Sequence, residues 1–231
     1  MHPSERFART LGLGDIGPAD VERLQSARVL AVGAGGLGSA ALPLLCAQGI
    51  RSLTLYEDDT VSWSNLPRQL MYGPKDVGHT KLDLAGAHLK HLHPDLHLDL
   101  RRARFGDPQH PTPPEHFDVA LDCTDNFATR FALDRYAQQQ GIPLVYGAVH
   151  DYTGLVTLLH GKAGLTLGDL LPEPKDEVPL AGGVFPPLVQ TIGAFMASEA
   201  IKLLLGRADT LDGKLLHFDV RDYTSRVLTI G

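Results

Sequence analysis

The glycines of the segment Gly33-Ala-Gly-Gly-Leu-Gly38 have the spacing G-x-G-x-x-G, which is typical of a phosphate-binding turn. Glycine lets the backbone turn tightly and lets phosphates approach the N–H groups at the start of the next helix. Glu57 follows about 20 residues later, where a carboxylate can accept hydrogen bonds from ribose hydroxyls. The alternative is a tight strand–helix turn without a ligand. The predicted nucleotide contacts of this motif are Gly33, Gly35, Gly36, Gly38 and Glu57.

Four polar residues farther along the chain have the types that a triphosphate requires. Arg68 can bind phosphate oxygens with two parallel hydrogen bonds, and Lys81 supplies a compact positive charge. Asn65 can donate to a phosphate oxygen, and Asp125 can hold Mg²⁺ with its hard oxygens. Taken singly, each also fits an ordinary role: Arg68 and Lys81 as surface cations, Asp125 as a helix N-cap. Together they favour ATP over NAD, a choice that the glycine motif does not make.

The elements around these residues predict how the fold positions them. The glycine motif lies between a predicted buried strand, Arg28–Val32, and a predicted helix, Leu37–Gln48, while Asp125 follows a predicted strand, Asp118–Asp122. Strands and helices alternate through the first 150 residues, and the end of the chain adds strands without helices between them. This pattern predicts an α/β fold with a Rossmann-like, doubly wound, mostly parallel sheet, extended by C-terminal antiparallel strands. The other predicted elements are helices at Asp20–Gln25, His79–Leu92, Asn126–Gln140 and Pro187–Leu205, and strands at Ser52–Tyr56, Leu96–Arg104, Pro143–Val149, Gly154–His160, Lys214–Val220 and Arg226–Ile230.

Composition excludes several classes of protein. The chain has 231 residues, a formal net charge of −6 and a pI near 6.0, which disfavours nucleic-acid and membrane-surface binding. Its first ten residues are polar and charged, with no apolar signal core. The longest apolar stretch, Pro186–Gly206, contains Gln190, Glu199 and Lys202 and is typical of a buried helix rather than a membrane span. We therefore predict a cytoplasmic protein.

The series of motifs resembles one protein family. The glycine loop, Ser64-Asn-Leu-Pro-Arg-Gln69, Lys81 and Asp122-Cys-Thr-Asp-Asn126 together are similar to the MoeB, ThiF and HesA family of ubiquitin-activating-like adenylyltransferases. The resemblance runs from Arg6 to about Ile230. It implies a single ThiF-type adenylation domain over residues 1–231, comprising an N-terminal arm (1–27), a nucleotide-binding half (28–150) and a carrier-binding half with a crossover loop (151–231).

The resemblance also implies an activity. Family members use ATP and Mg²⁺ to adenylate the C-terminal Gly-Gly carboxylate of a ubiquitin-like sulfur-carrier protein of the MoaD/ThiS type, for sulfur transfer in molybdopterin, thiamine or related biosynthesis. The implied catalytic residues are Arg68, Lys81, Asp125 as the Mg²⁺ ligand, and Arg9, which on sequence alone is an ordinary surface arginine. Arg9 would reach the phosphates of a partner subunit, so a homodimer is expected. The implied nucleotide contacts also include Asp59, Asn65, Gln69 and Asn126.

Three departures from the family pattern refine these expectations. Glu57 stands where relatives usually carry Asp, so the ribose geometry is expected to differ. The two C-x-x-C pairs that bind structural zinc in many relatives are missing, so no zinc is expected. The crossover segment Glu177–Pro186 has no cysteine, so we predict adenylation without an enzyme thioester or persulfide, and direct transfer to an external sulfur donor protein.

Three other functions fit parts of the sequence. A tRNA threonylcarbamoyladenosine dehydratase shares the adenylation core, although the net charge of −6 disfavours RNA binding. A non-catalytic carrier-binding subunit would have no reason to keep Arg68, Lys81 and Asp125. A nicotinamide oxidoreductase is supported by the glycine motif alone.

Overall fold

The computed structural model describes residues 3–110, 112–174 and 182–230. In its first part strands and helices alternate: α1 (Pro3–Arg6), α2 (Ala8–Leu11), α3 (Pro18–Ser26), β1 (Arg28–Val32), α4 (Gly36–Ala47), β2 (Ser52–Tyr56), α5 (Lys81–Leu92), β3 (His97–Arg101), β4 (Val119–Asp122), α6 (Phe127–Gln140) and β5 (Leu144–His150). Short 3₁₀ turns at Trp63–Asn65 and Pro74–Asp76 lie between β2 and α5. The remaining elements are β6 (Thr153–Leu159), α7 (Leu167–Leu170), α8 (Pro186–Leu204), β7 (Lys214–Asp219) and β8 (Thr224–Thr229).

The strands form one sheet in the order β3-β2-β1-β4-β5-β6-β7-β8. The pairs from β3 to β5 are parallel, whereas β6, β7 and β8 are joined by antiparallel pairs. Parallel strands joined through helices bury both faces of a sheet, while antiparallel strands can follow one another through short turns. The predicted fold class is therefore confirmed.

The central strands separate two hydrophobic clusters. Along β1, Val29 and Ala31 pack into one cluster, and Leu30 and Val32 into the other, because successive side chains point to opposite faces. Helices α4, α5 and α8 cover the first face, and α6 covers the second. Burial of both faces explains the continuous apolar runs of β1 and β4.

Helices α4 and α8 approach each other through a glycine. A Cβ atom at Gly193 would lie 2.6 Å from the Leu37 carbonyl oxygen and 2.7 Å from the Ala40 Cβ atom. Only a residue without a side chain fits there. This crossing places the start of α8 beside the start of α4, where the glycine loop enters its helix.

Several predicted boundaries differ from the observed ones. The strand predicted at Leu96–Arg104 ends at Arg101 because β2 offers only five partner residues. The helix predicted from His79 begins at Lys81, since Thr80 forms a bridge with Thr60 across the chain. Within the crossover region after β6, the described residues contain one short helix, α7, and residues 175–181 lie outside the described residues.

Candidate nucleotide-binding site

The candidate site lies at the carboxyl ends of β1 and β4. The glycine loop follows β1, and Asp125 follows β4 by three residues. These strands are adjacent and parallel, with β2 on the other side of β1. The chain order therefore reverses between β1 and β4, and ligands of open α/β sheets bind in the crevice at this kind of position.

The glycine loop fits tightly between neighbouring elements. Gly33 has φ +98°, and a Cβ atom there would lie 2.5 Å from the Cys123 carbonyl oxygen. A Cβ at Gly38 would lie 2.5 Å from the Gly33 carbonyl oxygen, and one at Gly36 would lie 2.5 Å from Val189 Cγ1. These contacts explain the motif: the backbone can lie against β4 and α8 only because the side chains are absent. Helix α4 then starts at Gly36, with the N–H groups of its first turn available to an anion.

Glu57 connects the glycine loop to the turn after β2. Its buried carboxylate accepts a hydrogen bond from Ala34 N at 2.8 Å, and from Asp58 N and Asp59 N at 2.9 Å each. One oxygen accepts two of these bonds and the other accepts one, which leaves one lone pair free. The carboxylate thus already holds the loop in shape, and its contact with ribose stays a prediction for that remaining position.

Lys81 is a buried cation at the first position of α5. Only 4% of its surface is exposed, and its Nζ lies 2.8 Å from Asp59 Oδ2, whose side chain is 67% exposed. The alternative interpretation of Lys81 as a solvated surface cation is therefore wrong. The carboxylates of Glu57, Asp58 and Asp59 lie within 4.8 Å of one another, so the Lys81 charge faces an acidic turn.

Asn65, Arg68 and Gln69 lie on the segment that borders the glycine loop. Asn65 Oδ1 accepts from Ser62 N at 3.0 Å, and Arg68 Nη1 donates to Ser64 O at 2.8 Å, so both side chains contact their own turn. Gln69 is 3% exposed, its amide nitrogen lies beside Gly35, and its buried Oε1 has no partner in the described part of the chain.

Helix α8 fixes this segment to the glycine loop. Gln190 Nε2 donates to the Arg68 carbonyl oxygen at 2.7 Å and to the Gly36 carbonyl oxygen at 3.3 Å. The backbone of Arg68 is therefore held beside the start of α4. No signal in the sequence pointed to Gln190.

Asp125 and Asn126 differ in how they use their side chains. Asn126 is the N-cap of α6 and accepts from Thr129 N at 2.9 Å, so Asp125 is not the N-cap. The Asp125 carboxylate is exposed and has no hydrogen bond or ion pair within the described residues. Asp122 is fully buried, and its Oδ1 accepts from Thr124 N at 3.0 Å and Thr124 Oγ1 at 2.7 Å. Burial raises the pKa of Asp122, and Arg130 partly opposes that shift.

A buried arginine that was not predicted from the sequence lies behind Asp125. Arg130, 6% exposed, donates from Nη1 to Tyr146 Oη at 2.6 Å and from Nη2 to Thr124 O at 2.8 Å. Burial lowers the pKa of Arg130, but Asp122, Tyr146 and Asp125 outweigh that effect and leave the pKa raised. The sequence feature that could have indicated Arg130 is its position one turn into the helix that follows the Asp-Cys-Thr-Asp-Asn motif.

A cavity of about 570 Å³ borders the same edge of the sheet. It lies between the loop after β3 and helix α6, and Asn126 lines it. Arg104, which also lines it, has its Nε 3.7 Å from Asp58 Oδ2 on the acidic turn. The volume is in the range of small-molecule sites, roughly 300–1,000 Å³.

The structure does not bring Arg9 to this site within one chain. Arg6 donates to the Cys46 and Leu92 carbonyl oxygens, at the C-terminal ends of α4 and α5. Thr10 Oγ1 donates to Gln48 Oε1 at 3.1 Å, just beyond α4. Helix α4 spans about 18 Å along its axis. The arm that carries the exposed Arg9 is therefore attached at the opposite end of α4 from the glycine loop.

Comparison with known proteins identifies the family. The chain matches the sequence profile of the ThiF family over residues 7–231. This range contains every candidate residue described above. The chain belongs to the ThiF family.

Two relatives have similar length as well as sequence. The SAMP-activating enzyme E1 of Haloferax volcanii is 38% identical over 223 residues, which cover 95% of this chain and 83% of the relative. The sulfur carrier protein adenylyltransferase of Thermus thermophilus is 36% identical over 235 residues, covering 98% of this chain and 87% of the relative. Among solved structures, E. coli MccB with ATP superposes with a TM-score of 0.84 at 17% identity, covering 98% of this chain and 71% of that chain. At that identity the likeness concerns the fold alone.

The two cysteines of this ThiF-family chain are both buried free thiols. Burial raises the pKa of Cys46 to about 12, and burial together with Asp122 raises that of Cys123 well above its usual range. A thiol is nucleophilic only as the thiolate. Neither side chain is therefore suited to form a covalent intermediate.

In the described ranges, no helix is long and apolar enough to span a bilayer.

Proposed function

We propose that this ThiF-family chain is an ATP-dependent adenylyltransferase that activates the C-terminal Gly-Gly carboxylate of a ubiquitin-like sulfur-carrier protein. The observation that carries the proposal is the placement of Lys81 and Asp125. A buried ammonium and an exposed carboxylate that has no partner among the described residues lie on opposite sides of one glycine loop, at the crevice of the sheet. Relatives that share most of their length with this chain are named for carrier activation, which supports the same substrate class.

The proposed reaction needs no nucleophile from the protein. A carboxylate oxygen of the carrier attacks the α-phosphorus of ATP, the bond from that phosphorus to the bridging oxygen breaks, and pyrophosphate leaves. Arg68 and Lys81 stabilise the negative charge on the phosphates, and the N-terminus of α4 contributes its N–H groups. Gln69 and the remaining lone pair of Glu57 orient the nucleotide. Catalysis then consists of positioning and charge stabilisation.

Asp125 fits the role of the Mg²⁺ ligand. Its carboxylate is exposed at the carboxyl end of β4 and has no partner in the described part of the chain. Bound Mg²⁺ would neutralise phosphate oxygens and assist the departure of pyrophosphate. Asp59, which pairs with Lys81, and Asn126, which follows Asp125 in the chain, would contact the nucleotide.

We propose that the acyl-adenylate passes directly to an external sulfur donor. The buried thiols of Cys46 and Cys123 support this step, because neither can become a nucleophile without exposure to solvent. Half of the crossover segment that lacks cysteine, residues 177–181, lies outside the described residues. The absence of zinc also remains a prediction from the cysteine count.

A homodimer would bring Arg9 of one subunit to the site of the other. We expect Arg9→Ala and Lys81→Met each to abolish activity, because each removes a positive charge from the phosphates. Mixing the two variants should restore up to about one quarter of the activity per site, since mixed dimers contain one complete site. No restoration after exchange of subunits, measured by pyrophosphate exchange, would contradict the crossed arm.

The carrier-binding half presents an aromatic surface near the nucleotide site. This aromatic patch consists of Tyr152 and Phe185, with ring centroids 5.4 Å apart, and Arg221, whose guanidinium carbon lies 4.7 Å from the Tyr152 ring centroid. Tyr152 and Phe185 are 42% and 38% exposed. The patch follows β5, at the same edge of the sheet as Asp125, and β6 is about 10 Å from β4. An extended tail of about four to six residues could therefore connect a carrier at the patch with the α-phosphate.

Truncation of the aromatic patch should weaken carrier binding selectively. We expect Phe185→Ala and Tyr152→Ala each to raise the KM for the carrier about tenfold, equivalent to about 1.4 kcal/mol of binding free energy. The KM for ATP should not change. Leu100→Ala is the control, because Leu100 is 36% exposed on β3, far from the patch along the sheet. An equal effect of the control would exclude the patch as the docking surface.

ATP–pyrophosphate exchange with candidate carriers tests the function. Each carrier is assayed intact and without its last glycine, and exchange is expected only with an intact carrier that matches this chain. Exchange driven by tRNA would indicate the dehydratase function, and carrier binding without exchange would indicate a non-catalytic subunit. Binding of NADH in preference to ATP–Mg²⁺ would indicate an oxidoreductase.

A further inference from the structure

Thr124 is held from both sides by buried ionic groups. Asp122 Oδ1 accepts from its N–H at 3.0 Å and from its hydroxyl at 2.7 Å. Arg130 Nη2 donates to its carbonyl oxygen at 2.8 Å. All three polar groups of Thr124 are therefore bonded to side chains that are at least nine-tenths buried. Thr124 itself is buried, while the next residue, Asp125, is exposed.

The Arg130 bond fixes the peptide that leads into Asp125. In a trans peptide the carbonyl oxygen and the following N–H point in opposite directions. Because Arg130 holds the Thr124 carbonyl, the Asp125 N–H must point away from the buried guanidinium. The peptide plane between Thr124 and Asp125 is thus fixed, although the Asp125 carboxylate has no partner among the described residues.

Tyr146 completes the support of Arg130. Its hydroxyl accepts from Arg130 Nη1 at 2.6 Å, and the guanidinium carbon lies 5.0 Å from the centre of its ring. Two bonds from one planar guanidinium, to Tyr146 and to Thr124, set the direction of the group as well as its distance. Arg130 Nε and Asp122 Oδ2 have no partner in the described part of the chain. Burying such ionic groups is costly, so their presence is weak evidence of a contribution to stability.

We propose that Arg130, oriented by Tyr146, is a positioning residue that holds Asp125 for the metal of the nucleotide through the Thr124 carbonyl. This inference rests on the proposed function. Arg130 touches neither nucleotide nor metal. It fixes the backbone from which the Asp125 side chain extends. Groups that orient a metal ligand typically change metal affinity about 10–100-fold when they are removed.

The test measures binding of a non-hydrolysable ATP analogue by calorimetry at a series of Mg²⁺ concentrations. Tyr146→Phe removes only the oxygen that accepts from Arg130. We expect it to raise the Mg²⁺ concentration for half-maximal binding about tenfold, with unchanged analogue affinity in the absence of Mg²⁺. Tyr136→Phe is the matched control, because the buried Tyr136 hydroxyl donates to the Pro113 carbonyl oxygen at 2.9 Å, outside the Thr124 cluster. Arg130→Lys, which keeps the charge but not the planar pair of bonds, should act in the same direction.

The outcomes separate this inference from the proposed function. A wild-type protein that binds no analogue at any Mg²⁺ concentration would overturn the proposed function and this inference with it. Analogue binding that does not depend on Mg²⁺ would overturn the metal role of Asp125 and this inference. A wild-type protein that requires Mg²⁺, with equal Mg²⁺ requirements in Tyr146→Phe and Tyr136→Phe, would overturn the positioning role alone. A purely structural role of Tyr146 would lower the melting temperature and leave the Mg²⁺ requirement unchanged, which is the same negative result.

Discussion

Asp125→Asn is expected to lower ATP–pyrophosphate exchange at least about 1,000-fold, equivalent to about 4 kcal/mol of transition-state stabilisation. Asparagine keeps the shape of the side chain and removes its negative charge, and Mg²⁺ binds neutral amide oxygens far less well than carboxylates in sites of this kind. The effect should appear in exchange and in Mg²⁺-dependent binding of an ATP analogue. The chain should remain folded, because Asp125 is exposed and has no partner in the described ranges, and substitution of such a surface residue changes stability by about 0.5 kcal/mol at most.

Asp209→Asn is the control for the charge. Asp209 is also exposed, its side chain has no hydrogen bond among the described residues, and it lies beyond the C-terminal end of α8. This variant should exchange at the wild-type rate. Substantial exchange by the Asp125 variant would refute the metal role and leave the acidic turn formed by Glu57, Asp58 and Asp59 as the remaining carboxylate cluster.

Lys81→Met is expected to reduce exchange about 1,000-fold without loss of stability. The buried ammonium is the positive charge beside the glycine loop that the fold itself holds in place, and methionine has similar length without charge. Removing it leaves Asp59 without its partner, but that side chain is 67% exposed and can be solvated. Removing one partner of an ion pair is strongly destabilising where it leaves a buried charge uncompensated, and Asp59 is not buried, so the melting temperature should change little.

Lys75→Met is the matched control for this change. Lys75 is exposed on the 3₁₀ turn that precedes α5, so it carries the same charge on the same segment. Its substitution should leave both exchange and nucleotide binding unchanged. Wild-type exchange by the Lys81 variant would mean that the Lys81–Asp59 pair is a structural ion pair only.

The fold was predictable because its signals are local. The strands β1 and β2 were predicted with their observed bounds, Arg28–Val32 and Ser52–Tyr56, since continuous apolar runs ending at glycine or acidic residues mark buried strands. Helix and strand ends were less accurate, as at Leu96–Arg104, because a strand ends where its neighbour stops offering partners. That neighbour, β2, is more than 40 residues earlier in the chain.

The sequence predicts the residues of the candidate site but only part of their arrangement. The order of motifs predicts Arg68, Lys81 and Asp125 as site residues. The position of Asp125 just after a predicted strand places it at the crevice. No motif indicates that the Glu57 carboxylate binds three backbone N–H groups, or that Lys81 is buried. Both facts depend on how the turn after β2 packs against the glycine loop.

The sequence by itself determined the family, the alternation of elements and the residue types available to bind a triphosphate, because these depend on periodicity, glycine spacing and short motifs. Tertiary structure alone decided which charges are buried and which backbone groups they hold, as for Arg130 with Thr124 and Tyr146. The physical reason is that burial and hydrogen-bond partnership arise from contacts between elements. Arg130 lies on a helix and Tyr146 on a strand. Only the packing of α6 against the sheet brings their polar atoms to 2.6 Å from each other.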